Sequence, residues 1–224
     1  MKINKRLHEE GTVAILIMTG VIVVISCLVN WFWPSQTVWH YLLYVFELVA
    51  LVLTIRFFRV PIWRKTTIAD DAVLAPADGV IAANEDVFED EYFHDKRRQV
   101  SIFMSIYDVH INFFPFDGKV TYYKYHPGKF LLAFNPKSST DNEHNTIILK
   151  DTKGREVLVR QIAGFVARRI VCELQPGDDA VAGEELGMIR FGSRVDVFLP
   201  MDADVKVRIG DKTVGKETVL ATLK

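Results

Sequence analysis

Two long apolar runs near the N-terminus constrain this chain more than any other feature. Residues 12–33 carry no charged side chain, and residues 38–58 contain only three charged or histidine side chains. A helix of about 20 apolar residues crosses the roughly 30 Å hydrocarbon core of a bilayer. Each run is long enough, and Pro34 predicts a turn between them. The sequence therefore predicts an N-terminal transmembrane hairpin of two helices.

A cleaved signal peptide is the competing interpretation of the first run. That run is longer than a typical signal h-region, and no small-residue cleavage site precedes Trp31. By the positive-inside rule, basic flanks mark the cytoplasmic ends of membrane helices, and here they predict a protein of the cytoplasmic membrane with both hairpin ends and the remaining chain on the cytoplasmic face. The flanking basic residues are Lys2, Lys5 and Arg6 before the hairpin, and Arg56, Arg59, Arg64 and Lys65 at its end.

The charge balance and the cysteines exclude several functional classes. The formal net charge is −1, which provides no overall basic excess for nucleic-acid binding. Cys27 and Cys172 are far apart in sequence, and the first lies inside an apolar run, so neither a disulfide framework nor a zinc site is indicated. We therefore predict no metal and no nucleic-acid partner. Glu47, near the middle of the second run, is interpreted as protonated against the partner helix or near the headgroups, with a functional role as the alternative.

From about Asp70 onward the sequence consists of short alternating or β-branched runs separated by Gly, Pro and Asp. This pattern is typical of strands and turns, and no helical pattern of comparable strength appears after residue 70. We predict a hairpin domain at residues 1–66 and one mainly antiparallel β domain at residues 67–224. The clearest strand candidates are residues 100–106, 119–125, 146–150, 156–162 and 168–174.

The segment 176–200 has the glycine-punctuated rhythm of lipoyl- and biotinyl-carrier folds. We therefore expect the C-terminal part of the β domain to be lipoyl-carrier-like. A carrier function needs an exposed lysine at a hairpin tip, where the cofactor is attached. This segment contains no lysine, so the sequence does not favour a carrier function.

The Gly192-Ser193 pair, followed by VDVFLP, lies close to the C-terminus. A Gly-Ser pair alone is common in turns. Together with five other segments, however, FGSRVDVFLP resembles the ordered motifs of phosphatidylserine decarboxylases, in their short archaeal- and bacterial-type branch. Those segments are APADGVI (75–81), YDVHINFFPFDG (107–118), HPGKF (126–130), DNEHNT (141–146) and QIAGFVARRIV (161–171).

The resemblance implies that the chain makes its own prosthetic group. The Ser193 hydroxyl attacks the Gly192 carbonyl to form an ester, and elimination then releases the Gly192 carboxylate and leaves dehydroalanine. Hydrolysis of the dehydroalanine, with loss of ammonia, gives a pyruvoyl group at residue 193. Two chains result, residues 1–192 and 193–224, which stay non-covalently associated. The pyruvoyl carbonyl forms a Schiff base with a serine headgroup and accepts the electrons left by CO2, which converts phosphatidylserine to phosphatidylethanolamine.

The resemblance also implies the other catalytic residues, which are Asp78, His110, His126 and His144. Two motifs depart from the long-form enzymes of the family. These carry a second histidine three residues after the first, where this chain has Phe113, and their Leu-Gly-Ser-Thr processing motif reads Phe191-Gly192-Ser193-Arg194 here. Because of Phe113, the histidine that assists self-cleavage is open, and His110 is the first choice.

Several alternatives stay open at this level. An ether-linked archaeal lipid presents the same headgroup as a diacyl lipid. A non-catalytic β adaptor on a membrane hairpin would stay uncut, and a pyruvoyl decarboxylase of a soluble amino acid would not need the two helices. A homo-oligomer is also left open. Candidates for binding the lipid phosphodiester are Lys129, Arg168, Arg169, Arg190 and Arg194.

Overall fold

The structure is a computed structural model that describes residues 6–67, 69, 71–128, 142–164, 170–189 and 193–224. The chain divides into two compact units, Met1–Ile62 and Trp63–Lys224. The sequence placed this boundary four residues later, after residue 66. Arg64 explains the difference, because its side chain binds Asp78 inside the second unit.

The first unit contains the two predicted apolar helices, α1 (Glu9–Phe32) and α2 (Val38–Phe57). Both are long and apolar enough to cross a membrane. Helix α1 begins before the apolar run because Glu9 and Glu10 occupy its first turn, where acidic side chains interact favourably with the helix dipole. The backbone N–H of Glu10 also donates to Nδ1 of His8, which precedes the helix (3.2 Å).

Polar side chains connect the two helices within the hairpin. Ser26 Oγ donates to Glu47 Oε2 at 2.8 Å, and Asn30 Nδ2 donates to the Tyr44 hydroxyl at 2.7 Å. Glu47 is buried, so this acidic group lies against the partner helix. Hydrogen bonds to small polar residues are a common means of pairing helices in a bilayer.

The second unit is built from strands over the part of it that the structure describes. The five strand candidates from the sequence all overlap observed strands, although residues 105–106 lie beyond β3 and only Ile170–Val171 of the last candidate is described as a strand. The strands are β1 (Ala72–Leu74), β2 (Gly79–Glu89), β3 (Asp95–Met104), β4 (Ile111–Phe113), β5 (Gly118–His126), β6 (His144–Asp151), β7 (Glu156–Ile162), β8 (Ile170–Val171), β9 (Asp179–Ala180), β10 (Glu185–Ile189), β11 (Ser193–Leu199), β12 (Asp204–Val205), β13 (Lys212–Thr213) and β14 (Val219–Thr222).

The largest sheet has eight strands in the order β13-β2-β3-β11-β7-β6-β5-β9. Two three-stranded sheets, β1-β14-β12 and β4-β10-β8, complete the unit, and the strand pairs are antiparallel. The predicted mainly antiparallel β fold with two N-terminal apolar helices is therefore confirmed. The lipoyl-carrier-like character of the C-terminal part stays a prediction.

Strand alternation gives the central strands β6, β7 and β11 two different faces. Val195, Val197 and Leu199 of β11 belong to the main hydrophobic core, and we call their side of the sheet the inner face. Arg194 and Phe198 point to the opposite side, the outer face. The register of β6, β7 and β11 runs without a bulge, so the face of every residue in these strands follows from its position.

Candidate active site

Ser193 is the first residue of β11, where it pairs with Met104 at the end of β3. Alternation places its side chain on the inner face with Val195. It is fully buried, and its Oγ donates a hydrogen bond to Met104 Sδ at 3.2 Å. A thioether is only a weak acceptor, so the hydroxyl is held in place without a strong partner among the described residues. Gly192, the predicted other half of the cleaved bond, lies outside the described residues.

A chain of three buried amides leads to the same sulfur atom. Asn145 Nδ2 donates to Gln161 Oε1 at 2.8 Å, and Gln161 Nε2 donates to Asn112 Oδ1 at 2.7 Å. Asn112 Nδ2 then donates to Met104 Sδ at 3.7 Å. The three amide side chains are fully buried, and the last donor is directed at the atom that also binds Ser193.

Gly187 of β10 makes room for this chain of amides. A Cβ atom at this position would lie 2.7 Å from the carbonyl oxygen of Val171 and 3.1 Å from Nε2 of Gln161. Contacts this short require the neighbours to move. The absence of a side chain at position 187 therefore allows the Gln161 amide to approach the strand closely.

His110 lies beside the strand that leads to the predicted cleavage pair. Its carbonyl accepts a hydrogen bond from the backbone N–H of Ile189, the last residue of β10, at 3.2 Å. The ring is fully buried, and Nδ1 is 3.0 Å from the carbonyl oxygen of Asp108. Since a carbonyl can only accept, Nδ1 carries the proton, which leaves Nε2 as the basic nitrogen.

Asp78 follows β1 and is surrounded by donors. Its carboxylate binds the Arg64 guanidinium through two contacts of 2.6 and 2.7 Å. It also accepts from the backbone N–H of Gly215 at 2.8 Å and, more weakly, from that of Val109 at 3.4 Å. Asp78 therefore contacts the residue next to His110, and its charge is balanced by Arg64.

Phe113 occupies the position at which long-form enzymes carry a second histidine. Its ring packs closely on Gly215, because a Cβ at Gly215 would lie 2.9 Å from the ring edge. Gly215 is the residue whose N–H donates to Asp78. The ring thus lies near Asp78 but offers it no polar group, and Arg64 is the side chain that binds the carboxylate.

His126 and His144 form a separate cluster with Glu91. Their rings stack with centroids 4.3 Å apart and an interplanar angle of 10°, and His126 Nε2 donates to Glu91 Oε1 at 2.7 Å. Glu91 also accepts from Thr146 Oγ1 at 2.7 Å and from Arg160 at 3.0 Å. By strand alternation His144 shares the outer face with Thr146 and Arg160, so this cluster and Ser193 lie on opposite faces of the sheet.

The charge states of this cluster follow from its surroundings. Burial lowers the pKa of His144, and the nearby charge of Arg160 acts in the same direction, although a hydrogen bond to the carbonyl of Asn142 partly opposes them. Burial raises the pKa of Glu91, but hydrogen bonds from Thr146 and His126 outweigh it, and the pKa lies below its ordinary value. The cluster therefore contains an ionised carboxylate and a histidine that favours its neutral form.

Glu91, His126 and His144 also have the ligand types of a metal site, and one donor atom of each lies within 4.8 Å of the others. A metal bound to imidazole lies close to the plane of the ring. Two rings stacked in nearly parallel planes cannot both direct a nitrogen at one ion without turning. The observed arrangement, with Arg160 bound to the same carboxylate, is that of a hydrogen-bonded cluster.

Of the basic residues predicted to bind phosphate, only Arg194 lies in the described chain. It is buried on the outer face, where it donates to Asp196 at 2.5 Å and to Ser101 at 2.9 Å. Its guanidinium is therefore part of an internal polar network. The remaining candidates, Lys129, Arg168, Arg169 and Arg190, lie outside the described residues.

Sequence reasoning missed the three amides, Asn112, Gln161 and Asn145. Each lies inside a motif that was recognised, but none was selected, because an amide has no reactive group of its own. One signal was present. Asn112 is a polar side chain between Ile111 and Phe113 in an apolar strand run, and a buried polar group requires a partner.

The fold and the site together define a β protein with an apolar helical hairpin and a buried serine that shares one sulfur contact with a chain of amides. A buried histidine binds the last residue of strand β10. Comparison with known proteins identifies the class. Residues 51–221 match the phosphatidylserine decarboxylase family, and the chain belongs to that family. The predictions of this family and of a decarboxylase are confirmed.

Curated relatives match over nearly their whole length. The chain is 43% identical to the phosphatidylserine decarboxylase proenzyme of Cytophaga hutchinsonii, over 96% of this chain and 97% of that protein. It is 44% identical to the proenzyme of Porphyromonas gingivalis, over 97% and 99% of the two chains. The word proenzyme in these names describes proteins that are processed, which agrees with the processing predicted for this chain.

Proposed function

We propose that this chain cleaves itself at Gly192-Ser193 and then decarboxylates phosphatidylserine to phosphatidylethanolamine and CO2. The observation that carries this proposal is the setting of Ser193. Its hydroxyl is fully buried at the start of a strand, has a thioether as its acceptor among the described residues, and shares that sulfur atom with an oriented amide donor. A serine with a purely structural role would normally bind a stronger acceptor when buried.

The surroundings of Ser193 fit a small prosthetic group that carries carbonyl oxygens. Asn112 offers an amide donor whose described acceptor is the weakly accepting sulfur of Met104. The core around it is apolar, so water is excluded and hydrogen bonds to a carbonyl are strengthened. When formed from Ser193, a pyruvoyl group supplies the electron sink that a decarboxylation requires.

In the self-cleavage step, Ser193 Oγ attacks the carbonyl carbon of Gly192 while a base removes the hydroxyl proton. We assign the base to His110. Its protonated Nδ1 leaves Nε2 able to accept a proton, and its backbone binds Ile189, three residues before Gly192. We assign Asp78 a positioning role, because it contacts the N–H of Val109 and is neutralised by Arg64.

We assign no step at Ser193 to His126 or His144. Both side chains lie on the outer face of the sheet, and Ser193 lies on the inner face. His126 of β5 donates to Glu91, at the tip of the β2–β3 hairpin, and His144 stacks on His126 while its β6 neighbour Thr146 donates to the same carboxylate. We infer that these contacts with Glu91 stabilise the turn after β2.

The two apolar helices support a lipid substrate. We infer that they span the membrane with both ends in the cytoplasm, since basic residues flank the outer ends of the hairpin. An enzyme held at the membrane surface meets a lipid headgroup at a high effective concentration. A decarboxylase of a soluble amino acid would gain nothing from this anchor.

Intact mass spectrometry of the purified full-length protein tests the cleavage. We expect a fragment of residues 193–224 that is lighter by one ammonia than the same fragment beginning with serine. The Ser193→Ala variant should remain one chain. An uncut wild-type chain of 25.6 kDa after expression in membranes would contradict the proposal and would favour the adaptor alternative.

A second assay separates the substrate alternatives. The processed protein is mixed with vesicles that contain diacyl phosphatidylserine, with vesicles of an ether-linked lipid that has the same serine headgroup, and with free serine. We expect CO2 release from the diacyl lipid and none from free serine. Release from free serine at the same rate would show that the substrate is a soluble amino acid.

A further inference from the structure

We infer that Asn112 is the oxyanion donor of the self-cleavage step and that Gln161 and Asn145 orient it for that role. This inference rests on the proposed function and adds a catalytic residue to it. The hydroxyl of Ser193 and the amide of Asn112 converge on one atom, Met104 Sδ. The nucleophile and the donor are therefore brought together at the end of β3.

The direction of the hydrogen bonds determines which end of the Asn112 amide faces Met104 Sδ, the atom that Ser193 also contacts. Gln161 Oε1 accepts from Asn145 Nδ2, which places Nε2 of Gln161 toward Asn112. That nitrogen can only donate, so it binds the oxygen of the Asn112 amide. The nitrogen of Asn112 is then left to point at Met104 Sδ, to which Ser193 Oγ also donates.

A second contact fixes the donor-to-acceptor direction of the hydrogen bonds between the three amides. The backbone N–H of Gln161 donates to Oδ1 of Asn145 at 3.1 Å. This bond fixes the oxygen of the Asn145 amide and leaves its nitrogen to bind Gln161 Oε1. The orientation of all three amides thus follows from one backbone donor in strand β7.

The described acceptor of Asn112 Nδ2 is a poor one. A contact of 3.7 Å to a thioether satisfies a buried amide donor only weakly. A donor that is buried, oriented in advance and weakly bound gains most from an acceptor that becomes negatively charged during the reaction. An oxyanion on the carbonyl carbon next to Ser193 is such an acceptor.

Bonds and protons are conserved in the step that this donor assists. The oxygen of Ser193 forms a bond to the Gly192 carbonyl carbon, and the carbonyl oxygen carries the negative charge that Asn112 stabilises. The C–N bond between the two residues then breaks. The hydroxyl proton passes through the base to the departing Ser193 nitrogen, so the product is an ester with a free amine and no oxidant or reductant is needed.

The test follows self-cleavage of the full chain during cell-free synthesis into lipid nanodiscs. Asn112→Leu removes the donor, and Asn112→Asp replaces it with an acceptor of nearly the same shape. We expect either variant to release the 193–224 fragment about 10²- to 10³-fold more slowly than wild type, the cost of losing one oxyanion donor. Asn84→Leu and Asn84→Asp are matched controls, since Asn84 lies in β2 and bonds only to Val207 among its described hydrogen-bond contacts. These controls should cleave at the wild-type rate.

Hydroxylamine identifies the step, because it cleaves esters but not amides. If Asn112 assists ester formation, hydroxylamine will not restore cleavage in its variants. Rapid release by hydroxylamine of a fragment that begins with serine would show that the ester forms normally, and would overturn the inference. A purely structural defect would instead lower the thermal stability below that of the uncut Ser193→Ala protein.

Gln161→Glu tests the same inference without altering Asn112. Glutamate can still accept from Asn145 but cannot donate to Asn112, so the last amide loses its fixed orientation and cleavage should slow. Wild-type cleavage in Gln161→Glu and in a folded Asn112→Asp would overturn the inference and leave the proposed function intact. An uncut wild-type chain would overturn the proposed function itself.

Discussion

Arg64 and Asp78 form a two-point ion pair, with Nη1–Oδ1 and Nη2–Oδ2 distances of 2.6 and 2.7 Å. Both side chains are largely buried. The pair connects the segment that follows the helical hairpin to the loop that contacts Val109, next to His110. It therefore provides a polar partner for Asp78 in a chain that has Phe113 where long-form relatives have a histidine.

Arg64→Met should destabilise the β unit and slow self-cleavage. Removal of one partner leaves the other charge buried, which costs about 3–5 kcal/mol in buried ion pairs. The measurement is urea unfolding in detergent in a Ser193→Ala background, together with the cleavage rate in the unmodified background. Arg98→Met is the matched control, since Arg98 and Asp86 form a pair that is far more exposed and worth at most about 1 kcal/mol. If the unfolding free energy falls by the same small amount in the two variants, the ion pair of Arg64 and Asp78 contributes little to stability.

The unfolding free energy should depend on pH through His144. Burial lowers its folded pKa, so the unfolded chain binds more protons, and stability rises with pH across this window. The contribution is complete above the unfolded pKa of about 6.5 and is lost as pH falls through the folded pKa. The charged and titratable groups around His144 are His126, Glu91 and Arg160.

His144→Asn should therefore reduce the loss of stability between neutral and mildly acidic pH, as measured by urea unfolding at a series of pH values. His94→Asn serves as the control. His94 is exposed and has a positive φ of 53°, which asparagine tolerates. If the pH dependence of the unfolding free energy changes equally in both variants, burial of His144 is not its cause.

Gly187→Ala should slow self-cleavage although Gly187 carries no reactive group. The new Cβ would lie 3.1 Å from Gln161 Nε2 and 2.7 Å from the carbonyl of Val171, so the amide that orients Asn112 must move. Overpacking of this kind costs about 1–3 kcal/mol. Thermal unfolding and the rate of fragment release measure the two effects, and Gly20→Ala, which has open space around it, should change neither.

Ser26→Ala should weaken the pairing of the two apolar helices. It removes the hydrogen bond to Glu47, and such bonds in membrane proteins contribute about 0.6 kcal/mol on average. Fluorescence transfer between dyes at the two ends of the hairpin, followed during SDS titration, measures the pairing. Thr19→Val is the comparison, because Thr19 bonds to a carbonyl of its own helix. If Thr19→Val weakens helix pairing as much as Ser26→Ala does, the hydrogen bond between Ser26 and Glu47 has no specific role in pairing.

The two helices and the strands at residues 118–126 and 156–162 could be predicted from the sequence. These elements depend on local patterns, which are apolar length for helices and two-residue alternation for strands. The predicted run 119–125 lies inside β5, and the run 156–162 coincides with β7. The Gly192-Ser193 pair was recognised in the same way, because its neighbours along the chain form an ordered set of motifs.

Contacts between distant residues could not be predicted. His144 and Gln161 are both polar residues in strand runs, but only the register of β6, β7 and β11 shows that Gln161 shares the inner face with Ser193 and that His144 does not. A shift of one residue would exchange the faces. Arg64 and Asp78 are 14 residues apart, and nothing in the local pattern pairs them.

Local sequence therefore determined the elements and the family, and it indicated the serine that we propose is modified. The tertiary structure decided which side chains surround that serine, because strand pairing places residues of β3, β6, β7 and β11 on one face and packing brings Asn112 of β4 against it. Gly192-Ser193 is a short motif in the sequence. The buried amides of Asn112, Gln161 and Asn145 beside it exist as a site only after the sheet has closed around them.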